Sequence, residues 1–198
     1  MKRHKVFLLV VVLVCGFTAT TKATLVEWLV SEGGNGHFYE AIAVPTGITW
    51  TEASEAANSA GGHLATITSQ EENDFVFSLV DDDVFWFQWS SLHGPWLGGY
   101  QPEGSSEPDG DWQWVTGEPF DYTNWFGSQP DNWQWNDCAE QDYLYFFSGS
   151  PRQSTWNDNW DGCSTKEAHG YVVEIVPEPT TLFLLGFGGL ALLRRGRK

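Results

Sequence analysis

The stretch from Gln129 to Cys163, QPDNWQWNDCAEQDYLYFFSGSPRQSTWNDNWDGC, decides how this chain reads. It opens on an amide and an acid straddling a proline, Gln129-Pro130-Asp131, and closes on Trp156-Asn157-Asp158 and Cys163. Asparagine and aspartate in loops most often make turns, so Asn157-Asp158 alone would mean little. Its coincidence with Gln129-Pro130-Asp131 in one short region means more. Cys138 and Cys163 are the cysteines left once Cys15 is assigned to a leader. An exported setting permits a bridge between them, and a free, reactive pair is the alternative. Closing a loop of ~25 residues would stabilise the fold by roughly 3 kcal/mol in the chain-entropy view.

Both flanks point to export. Lys2, Arg3 and Lys5 precede the apolar run Val6 to Val14, and Thr21-Lys22-Ala23 offers small residues for cleavage. Residues 1–23 therefore read as a signal peptide. A lipid anchor on Cys15 is the rival, weakened by Val14 where a small residue is expected. At the far end, Pro177-Glu178-Pro179 leads into the apolar run Leu182 to Leu193, then Arg194, Arg195, Arg197 and Lys198. That run falls short of the ~20 residues a spanning helix needs, and its basic end should stay cytoplasmic. Residues 177–198 resemble the PEP-CTERM sorting signal of Gram-negative bacteria. The resemblance implies processing by a membrane protease, exosortase. It also implies a transient inner-membrane anchor, then release to the cell surface or extracellular matrix. A short tail anchor without processing is the alternative.

Between these signals, residues 24–176 have room for about one domain. They hold 25 of the 26 acidic residues but only Arg152 and Lys166 of the 10 basic ones, a formal charge near −23. Nucleic acid and anionic membrane are thereby disfavoured as partners. Self-repulsion of this size also favours bound cations, although ordinary solubility explains it equally. Histidines at 4, 37, 63, 93 and 169 are scattered, and no nucleophile elbow or phosphate loop occurs. Abundant carboxylates leave glycosidase chemistry open by composition alone, but the expectation is a protein that is not an enzyme.

Local patterns predict an α+β domain. Thr24 to Val44, with Gly33-Gly34 inside, reads as a first hairpin or edge strand. Thr49 and Glu52 make a capping box before Trp50, Ala53, Ala57 and Ala60 at helical spacing, and Gly61-Gly62 ends that helix. Leu64 to Ile67 is strand-like. Ser69 and Glu72 form a second capping box, with Phe75, Val76, Leu79 and Val80 as one apolar face. Asp81-Asp82-Asp83 reads as a solvated turn. Short β-like pieces follow at Trp96 to Gly98, Trp112 to Val115, Tyr143 to Phe147 and Tyr171 to Val176. The aromatic group Phe85-Trp86-Phe87 with Trp89 reads as satellite core more readily than as ligand surface.

In order and at matching spacing, the chain carries Trp50-x-x-Ala53, Gly62-x-Leu64-Ala65-x-Ile67, Ser69-x-x-Glu72-x-x-Phe75 and Trp96-Leu97-Gly98-Gly99. Trp112-x-Trp114-x-x-Gly117, Tyr122-x-Asn124-Trp125, Gln129-Pro130-Asp131, Asp137-Cys138, Trp156-Asn157-Asp158 and Cys163 continue the series. Over residues 36–176 the sequence thus resembles the C-type-lectin-like family. The resemblance implies two helices, small antiparallel sheets, a long loop region and one disulfide, Cys138–Cys163. The family's second bridge aligns with Ala57 and Val173, so both of its partners are replaced together.

The resemblance also implies a calcium site. Calcium takes six to eight oxygen ligands, and Gln129, Asp131, Asn136, Asn157 and Asp158 occupy the ligand positions. A cis bond before Pro130 would turn the Gln129 and Asp131 side chains to one side. Asn136 stands where sugar-binding members carry a glutamate, which implies weakened calcium affinity. A vicinal diol can complete the calcium shell, its hydroxyls exchanging hydrogen bonds with amide and carboxylate. The Gln-Pro-Asp order implies galactose-type diols, bound by Gln129, Asp131, Asn157 and Asp158, with Trp133 on the apolar face of the ring. Trp135 and Trp160 could serve likewise or be core. An auxiliary calcium on Gln101, Asp109, Asn132 and Asp137 is a further possibility. The expected partner is a galactose-type carbohydrate or exopolysaccharide. The competing expectation is a module that binds protein or another surface, with calcium structural or absent.

Overall fold

A computed structural model describes residues 24–135, 138–163 and 168–177. The leader, the apolar C-terminal run and the sorting segment beyond Pro177 lie outside these, as do Asn136 and Asp137. No helix among the described residues is long and apolar enough to cross a membrane.

The expected hairpin is present. Strand β1 (Val26–Glu27) pairs antiparallel with β2 (Phe38–Ile48) around a 3-10 turn at Val30–Glu32. β2 runs further than the pattern suggested, because its register shifts between Ala43 and Ile48. Such an irregularity lets a strand carry Pro45. Helix α1 (Trp50–Ser59) begins as predicted. The Thr49 side chain accepts from the Glu52 N–H, and the Glu52 carboxylate accepts from the Thr49 N–H. Ala53 and Ala57 turn inward, and a short β3 (His63–Leu64) follows.

Helix α2 (Gln70–Val80) shows half of its predicted box. Ser69 accepts from the Glu72 N–H at 3.1 Å, but the Glu72 carboxylate turns inward instead. It accepts from the Tyr39 hydroxyl at 2.6 Å, the Asn35 amide at 2.9 Å and both donors of Thr68. Past α2, Asp82 accepts from the Val84 N–H, and the Arg152 guanidinium bridges Asp81 and Asp83. The remaining strands are β4 (Phe87–Gln88), β5 (Leu92–Tyr100), β6 (Gln113–Trp114), β7 (Tyr143–Ser148), β8 (Trp156–Asn159) and β9 (Ala168–Ile175).

These strands run β1-β2-β9-β5-β7-β8, with β3 on β9 and both β4 and β6 on β5. The antiparallel pieces expected as separate small sheets join into one mixed sheet. The join is the parallel pairing of β5 with β9 at Trp96 and Tyr171. Close approach also seats β3 against β5. A Cβ added at Gly98 would lie 2.5 Å from the Leu64 carbonyl oxygen, and the Gly98 N–H donates to Ala65 at 2.8 Å.

The core packs in two parts. One holds α2 residues Val76 and Val80 with Tyr39, Leu97, Trp114, Phe146 and Trp156. The other holds α1 residues Ala53 and Ala57 with Leu64, Trp96, Tyr145 and Val173. Ala57 and Val173, aligned with the family's missing bridge, are thus both fully buried in the same apolar cluster. Buried indoles need an acceptor for their N–H. Trp50 donates to the Leu97 carbonyl, Trp96 to Ile48 and Trp156 to the Asn73 side chain, each at 2.8 Å.

Cys138 and Cys163 form the expected disulfide. With a sequence separation of 25, reducing it is expected to lower unfolding stability by roughly 3 kcal/mol. Urea denaturation with and without reductant checks this; coincident curves would refute it.

Candidate functional site

β8 is held on both edges. On one side Asn157 pairs with Tyr145 and Asp158 with Leu144 of β7. On the other, the Trp156 N–H donates to Asn124, and the Trp156 carbonyl accepts from the Phe126 N–H, each at 2.9 Å. Side chains alternate along a strand. Trp156 enters the core, Asn157 and Asn159 line a pocket, and Asp158 turns to the neighbouring loop.

That loop begins at a cis Gln129–Pro130 bond, as the resemblance implied. The Gln129 amide lies 3.4 Å from an Asp131 carboxylate oxygen, so the two side chains share one side. Asn132 has φ +43°, a left-handed conformation that asparagine tolerates. The turn aims the Asp131 and Asn132 N–H groups at the Asp158 carboxylate, at 3.1 and 2.6 Å. The Trp133 N–H goes to Gln141 Oε1 at 2.6 Å, and Asn132 Oδ1 accepts from the Gln141 N–H at 2.9 Å. Asp158 is fully buried, and burial pushes its carboxyl up to about 6 against the pull of the backbone donors.

Above this loop lies a pocket of about 270 Å³. Gln129, Asp131, Gln141, Asn157 and Asn159 supply its polar wall, and Trp89, Trp133, Trp135 and Trp160 its aromatic one. His93 and Tyr145 also line it, 3.0 Å apart, with the imidazole held neutral by burial, which lowers its pKa to about 4. Two buried oxygens, Gln129 Oε1 and Asn157 Oδ1, have no hydrogen-bond partner among the described residues. Buried acceptors left unmade are costly and call for a partner. Two such oxygens in one pocket with the Asp131 carboxylate make a donor set of the hard-oxygen kind that calcium takes.

The structure therefore brings Gln129, Asp131, Trp133 and Asn157 into one pocket. The Asp158 carboxylate holds the loop backbone and is not part of the pocket lining, while its carbonyl accepts from the Asn157 amide at 2.6 Å. Asn136 lies outside the described residues. Sequence reasoning missed Gln141 and Asn159. Counting back from Cys138 pointed to Asn136, but Gln141 stands in period-two phase with Tyr145 and Phe147, which also line the pocket. Trp89, expected as satellite core, is 62% exposed; Phe85 and Trp86 are the buried members of that group. Trp112, Trp114 and Trp156 are core, as expected.

Of the auxiliary set, Gln101, Asp109 and Asn132 lie among the described residues. Asp137 lies outside the described residues, and Asp109 is exposed. The Gln101 amide donates to the Gly110 carbonyl at 2.7 Å. Nearby, ligand oxygens of Glu107, Glu140 and Asp142 fall within 4.8 Å of one another. Burial first, then the Asp142 charge, pushes the Glu107 carboxyl up to about 7.

With this geometry in hand, comparison with known proteins places the chain. Residues 46–169 match the lectin C-type domain, and residues 176–198 match the PEP-CTERM protein-sorting motif. The chain belongs to the C-type lectin domain family. Among its relatives, a perlucin-like protein of Mytilus galloprovincialis is 32% identical over 44% of this chain and 51% of its own length. Asialoglycoprotein receptor 2 of Mus musculus is 31% identical over 57% of this chain and 31% of its own. The chain thus spans about half or less of the length of these relatives. Among solved structures, the C-type lectin CEL-I from Cucumaria echinata superimposes with a TM-score of 0.55. It is 26% identical, over 73% of this chain and 94% of that one.

Proposed function

We propose that residues 24–176 bind carbohydrate through a calcium ion. Gln129, Asp131 and Asn157 hold the ion, Asp158 supports it with a buried charge and by fixing the loop, and Trp133 packs on the sugar. The observation that carries this reading is the pair of unpartnered buried oxygens, Gln129 Oε1 and Asn157 Oδ1, beside Asp131. Trp133, 56% exposed at the pocket, supplies the ring face. Membership of a lectin domain family supports the reading.

Asn136 keeps its place in the proposed ligand set, and Gln141 is added as a further neutral oxygen on the wall. A site so rich in amides binds calcium weakly compared with a carboxylate-rich one. The Gln-Pro-Asp order favours galactose-type diols. Residues 1–23 direct export, and the PEP-CTERM motif directs exosortase-type processing at the inner membrane. The mature protein then acts at the cell surface or in the extracellular matrix, on exopolysaccharide.

Calorimetric titration with calcium, followed by retention on galactose and mannose resins with and without chelator, tests the proposal. Calcium binding and chelator-sensitive retention on galactose are expected. Retention that survives chelator overturns the calcium role. Calcium binding with no retention on either sugar favours protein or surface binding instead.

A further inference from the structure

Four indoles line the pocket: Trp89, Trp133, Trp135 and Trp160. Trp133 and Trp135 stack, with planes 14° apart and centroids at 6.5 Å. Trp160 packs 5.7 Å from Trp133 and 6.5 Å from Trp135. Trp89 reaches Trp135 edge-on at 6.0 Å. It arrives from a different part of the chain, the turn between β4 and β5. Trp89 is 62% exposed and belongs to neither core cluster. Indoles are normally well buried, so two largely exposed ones from separate loops on one pocket mark a contact surface.

A second observation gives the chemistry. Trp160 is 7% exposed, and its indole N–H is buried with no partner among the described residues. A cation cannot satisfy a donor, so the ion that would engage Gln129 and Asn157 leaves this group unmet. An oxygen acceptor, from an organic ligand or a water, would satisfy it. Flat apolar faces beside an unmet donor suit pyranose rings, which carry C–H faces and hydroxyl rims. Among the described residues the pocket lining contains no lysine or arginine, His93 is neutral, and the domain's charge is strongly negative. An uncharged glycan fits this setting better than a polyanion.

We infer that Trp89, Trp135 and Trp160 form a second ring-binding subsite beside the calcium-centred one. The ligand is then an uncharged glycan chain held across at least two pyranose residues. This rests on the calcium–sugar reading above and extends it from a single ring to a chain.

The test is calorimetry on the calcium-loaded full-length protein with methyl galactoside, galactobiose and galactotriose. The second ring is expected to tighten binding roughly tenfold, the upper range for one aromatic contact. Trp89→Ala should remove most of that gain. It should leave calcium and methyl galactoside affinities unchanged, and Trp89→Phe should restore much of the gain. Galactotriose binding no more tightly than methyl galactoside overturns the second subsite alone. So does a Trp89→Ala variant that keeps the gain or weakens all three ligands alike. Wild-type protein that binds calcium but none of the three overturns the galactose-type reading and this one together.

Discussion

Asp158→Asn is expected to abolish the proposed calcium-dependent sugar binding, with calorimetry showing calcium affinity up to about a hundredfold weaker. The change removes a buried negative charge one residue from Asn157 and costs the Asp131 and Asn132 N–H groups part of their acceptor. It should leave the fold intact, since asparagine has nearly the same shape.

The same variant isolates a pH effect. The folded-state carboxyl of Asp158, at about 6, lies above its ordinary 3.8. The folded protein therefore binds this proton more readily than the unfolded chain does. Without calcium, the contribution of this group to stability falls as pH rises from 4 through about 6, by roughly 3 kcal/mol at most. Wild-type protein should show that slope in excess of Asp158→Asn, because charge elsewhere in the domain affects both alike. Calcium opposes that proton, since a negative Asp158 beside the pocket favours a bound cation, and calcium affinity should decline below about pH 6. Identical pH–stability profiles for the two proteins would refute the assignment.

Trp156→Ala is expected to be the most destabilising single change. Trp156 is fully buried and meets Trp114, Tyr122 and Trp125 edge-on, with centroids between 5.4 and 6.0 Å. Truncating such a residue costs about 3–5 kcal/mol. The Asn73 oxygen that accepts its N–H is left unpaired, adding about 1–3 kcal/mol. Small domains have about 5–15 kcal/mol in all, so the variant should be largely unfolded or barely stable. Trp156→Phe, which keeps a ring but loses the N–H, should fall between. Urea midpoints for the three proteins decide the matter, and a loss under about 1 kcal/mol for alanine would show the core is placed wrongly.

Local chemistry made much of the fold legible. Both helix starts could be read from Thr49 and Ser69, because capping involves residues three apart. Misreadings arose where partners are distant in sequence. Glu72 left its box because Tyr39 and Asn35, more than thirty residues away, draw its carboxylate inward. The mixed sheet depends on Trp96 meeting Tyr171, a pairing that no local pattern encodes. At the site, Gln129, Asp131 and Asn157 were legible from motif order, whereas Gln141 depended on strand phase. Trp89 was missed because an exposed indole beside Phe85 and Trp86 looks the same in sequence as a buried one.

The position of β9 has a mechanical consequence. The chain leaves the domain through this strand, and β9 is interior to the sheet. β2 lies along one edge, with β3 and β5 on the other. A pull applied beyond Val176 is therefore carried in shear by ladders on both edges at once, rather than unzipping an edge strand pair by pair. Tension between a ligand in the pocket and an anchor past Pro177 would run through β8, β7, β5 and β9 in succession. The sheet is thus a continuous load path from the pocket to the point where the chain exits.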